Sequence, residues 1–392
     1  MANISFILDE LPGGGTERVT LNLARPLTEL GHKIFIFVHS INLDKLPVQD
    51  LPFEYIMLPH PARRSKNYPT VIEAIRKHNI EVFFAPVCFP RYMPKLHALG
   101  ICKIIYVLHS RPFYELLNKY DALVRIPHRT FKYICRTYLL DWPLWKLGYF
   151  HFKFRQRYKM IYRNSDAFGV LFDSYGQYIA KELDIEYDGS KFITLPNPIV
   201  ANNAGKDNSK AHEKVVGYVG RLTYYDKRVD RLLAVWHKIY EQFPNWRLWI
   251  VGEGGDYPNL KQYVEENNLP RVEFLGYAPN VGELYPKMDI VCLTSQYEGC
   301  PMVLLEAQDY GCATIAFDCC SGIGEILAPN YENGVYVPNG DIDAYAEALS
   351  RLMSDESLRS KIGKNGMENV KRFSVENSVA QYDALIRRLC TK

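Results

Sequence analysis

The sequence of 392 residues lacks the features that define several classes of protein. No stretch approaches the roughly 18 uninterrupted apolar residues of a membrane-spanning helix, and the richest runs, at 34–38 and 82–89, are strand-sized. No basic segment precedes the short apolar run at the N-terminus, so we expect no signal peptide. The nine cysteines form no C-x-x-C pair, which argues against a zinc site or a disulfide framework. These absences favour a cytoplasmic protein with reduced thiols.

The charge is unevenly distributed along the chain. Residues 1–200 carry 26 Lys and Arg against 18 Asp and Glu, whereas residues 201–392 carry 21 against 26, so the net charge is +8 in the first half and −5 in the second. Most of the excess lies in 111–163, where twelve basic residues stand against three acids and fourteen residues are aromatic. A segment that is both basic and aromatic is typical of an interface with an anionic surface.

Short apolar runs alternate with helical stretches on both sides of a polar segment, which predicts an α/β protein of two domains with parallel sheets. We place a first domain at 1–200, with the basic aromatic segment 111–163 inserted in it, and a linker at 201–214. The second domain follows at 215–372. Residues 373–392 are predicted to form a C-terminal helix that could pack back on the first domain.

Three groups of residues stand where strands run into helices, which is where parallel sheets bind ligands. The first is the loop Gly13-Gly14-Gly15 ahead of Arg18, which lacks the G-x-G-x-x-G spacing and could equally be a tight turn. The second is Gly220-Arg221 with Lys227 six residues later. Two cations at such a loop suit a pyrophosphate, although a solvated surface pair would look the same.

The third group combines two acids with a helix start. Glu298 and Glu306 are eight positions apart, with Gly299 and Pro301 between them. Pro301 indicates where the helix begins, so both carboxylates could face one ligand. Acids also cap helix starts, and that alternative stays open.

Taken in order, these motifs resemble the retaining glycosyltransferases of family 4, which are bacterial enzymes of polysaccharide, lipopolysaccharide and capsule synthesis. The resemblance spans nearly the whole chain and rests on the N-terminal glycine loop, Gly220-Arg221 with Lys227, Gly252-Glu253-Gly254, Phe274-Leu275-Gly276-Tyr277, and the E-x7-E motif from Glu298 to Glu306. The sequence departs from the family pattern at two points. Lys227 follows Arg221 by six residues, and Cys300 stands directly after Glu298-Gly299. The resemblance implies a GT-B fold, in which two Rossmann-like doubly wound domains face each other across a cleft.

The resemblance also implies an activity. The enzyme would move a hexose from a nucleotide-diphosphate sugar, with UDP favoured, to a hydroxyl of a lipid-linked or cell-surface glycan. Arg221 and Lys227 would neutralise the leaving pyrophosphate, Glu298 would bind the donor sugar, Glu306 the ribose, and Gly276 and Tyr277 the base. The remaining expected donor contacts are Gly14, Gly15, Gly220, Gly252, Gly299, Cys300, Pro301, Met302 and Val303. No metal or other cofactor is expected, and the single D-x-D, Asp341-Ile-Asp343, is interpreted as a helix cap.

The resemblance extends to the acceptor side. His109 follows a predicted strand, at the position of a family histidine near the reacting carbon, although a lone histidine is more often structural. Arg18, Arg111 and Tyr114 are candidate acceptor contacts. Retention would proceed by same-face attack, with the departing phosphate oxygen taking the proton of the acceptor.

The segment 111–163 is interpreted as a docking surface for an anionic, membrane-held acceptor, with Trp142 and Trp145 at the interface. The protein would then lie on the inner face of the cell membrane. The alternative is a packed helical cover whose charges face water. Nucleic acid is a weaker candidate partner, because no recognised binding module is present and the second half is acidic.

Three other functions fit parts of the sequence. A nucleotide-sugar epimerase of the same fold would need no acceptor surface, which the insertion argues against. A non-catalytic nucleotide-sugar-binding subunit would be expected to have lost one of its motif residues. All four are present, which argues against this function: Arg221, Lys227, Glu298 and Glu306. A Rossmann dehydrogenase is disfavoured by the glycine spacing and by the lack of an acid at the end of the second strand.

Overall fold

The computed structural model describes residues 1–11, 15–42, 53–86, 89–124, 135–200 and 214–391. The chain divides into two compact units. The first comprises Met1–Pro198 together with Val375–Lys392, and the second comprises Ile199–Ser374. Each unit contains one parallel sheet, which confirms the predicted α/β class.

The first sheet has seven strands. They are β1 (Asn3–Leu11), β2 (Lys33–Ile41), β3 (Glu54–Met57), β4 (Val82–Pro86), β5 (Lys103–Leu108), β6 (Ala167–Val170) and β7 (Phe192–Thr194). Their order is β3-β2-β1-β4-β5-β6-β7, and every neighbouring pair is parallel. All residues of β4 and all but the first of β5 are buried. A parallel sheet covered on both faces needs such strands, and this explains their continuous apolar runs in the sequence.

Within the described part of residues 1–198, the structure has seven helices. They are α1 (Gly15–Glu29), α2 (Tyr68–Lys77), α3 (Met93–Leu99), α4 (Tyr114–Val124), α5 (Trp142–Lys146), α6 (Tyr149–Arg163) and α7 (Asp173–Leu183), with a 3₁₀ turn at Ser65–Asn67 and a π-helical turn at Thr137–Asp141. The alternating aromatic and basic residues after Tyr149, whose secondary structure is ambiguous from sequence, lie in α6. That helix buries Phe150 and Tyr158, two turns apart, and exposes Phe152.

The second sheet has six strands. They are β8 (Lys214–Val219), β9 (Trp246–Val251), β10 (Val272–Gly276), β11 (Ile290–Leu293), β12 (Ala313–Asp318) and β13 (Val335–Pro338). They run parallel in the order β10-β9-β8-β11-β12-β13. Lys214, which the sequence analysis places in the linker, is the first residue of β8. The rest of that linker lies outside the described residues.

Helices follow most strands of the second sheet. They are α8 (Val229–Ile239), α9 (Tyr257–Glu266), α10 (Met302–Asp309), α11 (Ser321–Leu327), α12 (Ile342–Ser354) and α13 (Glu356–Val370), with 3₁₀ turns at Tyr240–Gln242, Val281–Glu283, Tyr285–Lys287 and Lys371–Phe373. Asp341 caps α12, because its carboxylate accepts a hydrogen bond from the Ala344 N–H at 3.0 Å. Asp343 pairs with Lys238 at 2.8 Å. The interpretation of Asp341 as a helix cap is therefore confirmed.

The last helix, α14 (Val375–Cys390), belongs to the first unit although it follows the second in sequence. Its apolar face joins the core under β1 and β4, where the Tyr382 ring lies 5.6 Å from the Phe84 ring. On the same helix, the Asp383 carboxylate lies 2.8 Å from Nε2 of the buried His32. None of the described helices is both long and apolar enough to cross a bilayer.

Candidate functional site

The second sheet changes direction between β8 and β11, because the chain proceeds from β8 outward to β9 on one side and from β11 to β12 on the other. Loops that leave neighbouring strands in opposite directions open a crevice at the carboxyl edge of the sheet, which is where such sheets bind ligands. The loop after β8 carries Arg221 and Lys227, and the loop after β11 carries Glu298. The fold therefore brings the second and third sequence motifs to one point.

Backbone and side-chain hydrogen bonds join these two loops. The Gln296 N–H donates to the Asp226 carbonyl at 2.7 Å, and the Thr294 hydroxyl donates to the Lys227 carbonyl at 3.3 Å. Gln296 is in turn held by hydrogen bonds from Arg231 and Asn339. The two loops thus form one structure rather than two independent ones.

Lys227 and Glu298 are in direct contact. Lys227 Nζ donates to Glu298 Oε1 at 2.6 Å, and the Ser295 hydroxyl donates to the same oxygen at 2.6 Å. Both side chains are largely buried, at 21% exposed for Lys227 and 11% for Glu298. Because Glu298 occupies only one of the three N–H groups of the Lys227 ammonium, the others can point at a ligand.

Arg221 is the more accessible of the two predicted cations. Its side chain is 72% exposed, and Nη2 lies 2.9 Å from the Asp226 carboxylate. Asp226 also accepts a hydrogen bond from the Thr223 hydroxyl. Because an ion pair this exposed is weak, the guanidinium can exchange Asp226 for a phosphate at little cost.

Glycines let three strand ends approach one another closely. The Gly252 N–H donates to the Gly276 carbonyl at 2.8 Å, and the Gly220 N–H donates to the Val251 carbonyl at 3.0 Å. A Cβ on Gly252, whose φ is +134°, would lie 1.9 Å from the Gly220 carbonyl oxygen. Only glycine fits there. Tyr277, which follows this corner, is 68% exposed and so is open to a planar ligand.

Glu306 lies on the second turn of α10, and Pro301, which the sequence analysis takes as marking the start of the helix, occupies its N-cap. Its carboxylate accepts a hydrogen bond at 2.7 Å from the hydroxyl of the buried Tyr285. Burial and the negative charge of Glu306 raise the pKa of Tyr285 well above its ordinary value, so this phenol stays protonated as a donor. Tyr285 therefore orients the acid expected to bind ribose.

The segment between the two acids contains Gly299, Cys300, Pro301, Met302 and Val303. The Met302 N–H donates to the Cys300 carbonyl at 2.9 Å, so the backbone amide of this expected donor contact already has a partner. Burial, with Cys320 and Glu298 nearby, raises the pKa of the Cys300 thiol. Cys300 is therefore a neutral thiol and a poor nucleophile.

In the first unit, His109 directly follows β5 and is half-buried. Its Nδ1 lies 2.7 Å from Oδ1 of the buried Asn197. Because an amide oxygen only accepts, Nδ1 carries the proton and Nε2 is the unprotonated nitrogen. Burial lowers the pKa of His109 to about 4, with the bond to Asn197 opposing the fall. His109 is therefore neutral at physiological pH.

The other predicted residues of the first unit are spread over two elements. Gly13 and Gly14 lie outside the described residues, whereas Gly15 begins α1 and Arg18 is exposed on its first turn. Tyr114 begins α4, and Arg111 lies three residues before it. Tyr114 is hydrogen-bonded to Arg63, which opposes the rise in the pKa of Tyr114 caused by burial.

Sequence reasoning missed the partners that hold the predicted residues in place. Ser295 and Asp226 stand inside the motifs, but nothing in their spacing shows which carboxylate or cation they serve. Asn197 and Tyr285 are distant in sequence from His109 and Glu306, so only the fold brings them together. Among the described residues, no three His, Cys, Asp or Glu side chains cluster as metal ligands would.

Family comparisons match both halves of the chain. Residues 13–200 match the model "Glycosyltransferase Family 4", and residues 201–369 match "Glycosyl transferases group 1". A curated exopolysaccharide phosphotransferase of Streptomyces coelicolor is 34% identical over 58% of this chain and 24% of its own length. A Campylobacter jejuni enzyme named as an α-1,4-N-acetyl-D-galactosaminyltransferase acting on a diNAcBac-PP-undecaprenol-linked glycan is 29% identical over 46% of this chain and 50% of its own. The chain thus spans half or less of these relatives.

Solved structures match over nearly the whole chain. A Rickettsia africae glycosyltransferase covers 100% of this chain and 99% of its own length, with a TM-score of 0.74 and 17% identity. The Anabaena protein Alr3699/HepE, solved in complex with UDP, covers 98% and 100%, with a TM-score of 0.71 and 16% identity. At sequence identities this low, the structural match establishes the fold alone. Together with both family models, it shows that the chain belongs to the glycosyltransferases of GT-B fold, with a family 4 domain ahead of a group 1 domain.

Proposed function

We propose that this protein is a retaining glycosyltransferase that moves a hexose from a nucleotide-diphosphate sugar, a UDP-sugar for preference, to a hydroxyl of a lipid-linked or cell-surface glycan. The observation that carries the proposal is the Lys227–Glu298 pair at the direction change of the second sheet, with Glu306 on the helix that follows. The Anabaena relative that shares this fold binds UDP, which supports the choice of nucleotide.

The leaving group explains the need for cations. As the bond from the anomeric carbon to the phosphate oxygen breaks, negative charge grows on the nucleoside diphosphate. Lys227 and Arg221 are positioned to neutralise it, and preorganised donors of this kind usually contribute most to such catalysis. On this basis we propose that transfer needs no metal ion.

Retention is proposed to follow from attack on the same face. The acceptor oxygen bonds to the anomeric carbon on the side that the phosphate leaves, and the acceptor proton passes to the departing phosphate oxygen. Atoms and charge then balance without a base from the protein. The protonated Cys300 suits this route, because a neutral thiol is a poor nucleophile and is not prepared to form a covalent sugar intermediate.

A surface of the first unit supports an acceptor held at a membrane. We define the exposed apolar surface by Tyr138, Leu139, Leu140, Leu147, Tyr149 and Phe152, whose side chains are exposed on consecutive helical segments. The exposed Arg136, Lys146 and Lys153 accompany them, and the segment 142–163 contains no acid. Exposed apolar groups with cations favour the surface of an anionic bilayer. Trp142 and Trp145 are half-buried and contribute less than the sequence analysis assumes.

The test is a thermal-shift titration in excess chelator against UDP, GDP, ADP and CMP and their sugars. A ligand that binds only the folded protein adds roughly 2.7 kcal/mol at about 100 times its Kd. We expect one nucleotide family to stabilise the wild type and the exposed control Glu347→Ala, but not Glu306→Ala. Stabilisation that needs added Mg²⁺ would contradict metal independence. Conversion of a bound sugar without any acceptor would instead support an epimerase.

A further inference from the structure

A cavity of about 540 Å³ in the first unit is lined by arginines that the donor chemistry does not use. Its wall is formed by Asp9, Pro61, Arg63, Arg64, Phe89, Arg91, Arg157 and Met160. These residues come from the end of β1, the loops after β3 and β4, and the helix α6. All of them lie within the first unit.

The cavity is placed where the first sheet changes direction. Strands β1 and β4 are neighbours, and the chain leaves them toward opposite edges of the sheet. Asp9 lies near the end of β1, and Phe89 follows β4. The position is the same one that Lys227 and Glu298 occupy in the second sheet, so the topology provides each unit with a ligand crevice.

The charge of the cavity is strongly positive. Four guanidinium groups face one carboxylate, Asp9, whose Oδ1 already accepts a hydrogen bond from the Ala62 N–H at 2.6 Å. Arg157 is 3.2 Å from Glu115, and Arg63 is hydrogen-bonded to Tyr114. These two arginines are thereby fixed in direction.

Arg64 and Arg91 differ from that pair. Both are exposed, and neither makes an ion pair with a carboxylate in the part of the chain that the structure describes. Clustered like charges repel one another. Asp9 and Glu115 offset only two of the four arginine charges, so the cluster is best satisfied by an anion, and guanidinium forks match the oxygens of phosphate.

We propose that this cavity binds the phosphate or diphosphate group of the glycosyl acceptor. The inference rests on the proposed transferase function and gives the acceptor a chemical class. Pro61, Phe89 and Met160 form an apolar part of the wall beside the arginines. Such a wall suits the chain of a lipid diphosphate or the ring of a phosphorylated sugar, and the shared element is the phosphate.

The experiment is a calorimetric titration with inorganic pyrophosphate in the Lys227→Ala background, which weakens the donor site. The test variant adds Arg64→Gln and Arg91→Gln, and the matched control adds Arg25→Gln and Arg76→Gln, two exposed arginines of the same unit. A charged hydrogen bond contributes about 1.5 kcal/mol or more, so the loss of two should weaken binding about 100-fold. The control should bind as its parent does.

Two results would overturn the proposal. One is the absence of pyrophosphate binding by the Lys227→Ala protein, and the other is equal binding by the test and control variants. Farnesyl diphosphate distinguishes the source of the phosphate: tighter binding than pyrophosphate indicates a lipid diphosphate, and equal binding indicates a phosphorylated glycan.

The nucleotide thermal shift separates this inference from the proposed function. Arg64→Gln with Arg91→Gln should leave the nucleotide-induced shift unchanged, because both residues lie in the first unit and the donor motifs lie in the second. If nucleotides stabilise the protein but pyrophosphate binding does not depend on these arginines, the cavity inference fails alone. If no nucleotide stabilises it, the transferase proposal fails first.

Discussion

At the scale of single residues, Lys227 combines burial, a fixed counter-ion and a place at the end of a strand. We predict that Lys227→Ala lowers the rate of sugar transfer roughly 100-fold, the usual effect of removing one donor that stabilises transition-state charge. Single-turnover kinetics with the identified donor would measure it. Lys238→Ala, which removes an exposed lysine paired with Asp343, is the control and should transfer normally. Normal turnover by Lys227→Ala would remove this residue from the mechanism.

The lowered pKa of His109 leads to a prediction about how stability depends on pH. The pKa of His109 is about 4 in the folded protein, against an ordinary value of 6.5 in the unfolded chain. As the pH falls, the imidazole is therefore protonated in the unfolded chain before it is protonated in the folded protein. The free energy of unfolding therefore decreases between pH 6.5 and about pH 4, by about 3 kcal/mol from this residue. Above that window the residue adds no pH dependence.

Urea unfolding across this window would test the prediction. The wild type should lose more stability on acidification than His109→Gln, by the stated amount. His237→Gln, at an exposed position on α8, should follow the wild type. Identical pH dependence of wild type and His109→Gln would show that the surroundings of His109 do not lower its pKa.

At the scale of elements, the helical segments between Arg136 and Lys153 expose six large apolar side chains without a covering element among the described residues. We predict that the protein sediments with vesicles of anionic lipid at low salt and is released as salt screens the cations. Replacing Leu139, Leu147 and Phe152 by Ser should abolish sedimentation without loss of stability, because these side chains are exposed already.

The control for that experiment uses exposed apolar residues elsewhere in the same unit. Leu30→Ser with Leu99→Ser removes two exposed leucines, one just after α1 and one at the end of α3. This variant should sediment like the wild type. Equal loss in both variants, or binding to neutral vesicles only, would contradict a docking surface made of these helical segments.

The helices and strands also show which parts of the fold can be predicted from the sequence. Buried parallel strands such as β4 and β5 were predictable, because burial on both faces forces an uninterrupted apolar run. Helices α3 and α7 were not, since α3 is short and α7 carries polar residues between its buried positions. The donor motifs were recognisable because each is local. The arginine cavity was not, because Arg63, Arg91 and Arg157 come from two loops and a helix that are distant in sequence and that only the fold brings together.

At the scale of the whole molecule, α14 completes a core begun nearly the full chain length earlier. Tyr382 is 1% exposed and Ile386 is fully buried. We predict that Ile386→Ala costs about 2–5 kcal/mol of unfolding free energy, as large-to-small changes in cores do. Gln381→Ala, at an exposed position on the same helix, should cost little. Denaturant unfolding would measure both.

The same measurement identifies the unit affected. Loss of Ile386 should lower the stability of the first unit, while nucleotide-induced stabilisation, which depends on the second, should persist. If Ile386→Ala is as stable as Gln381→Ala, then α14 does not contribute to that core.

The return of α14 also sets an order of events during synthesis. The segment Ile199–Ser374 is contiguous, so it can fold as soon as it leaves the ribosome. Residues 1–198 must wait for α14, since Tyr382, Leu385 and Ile386 complete their core. Until α14 has been made, the side chains of β1 and β4 that share this core with it lack that cover. The nascent chain is therefore most dependent on chaperones in the interval before α14 emerges.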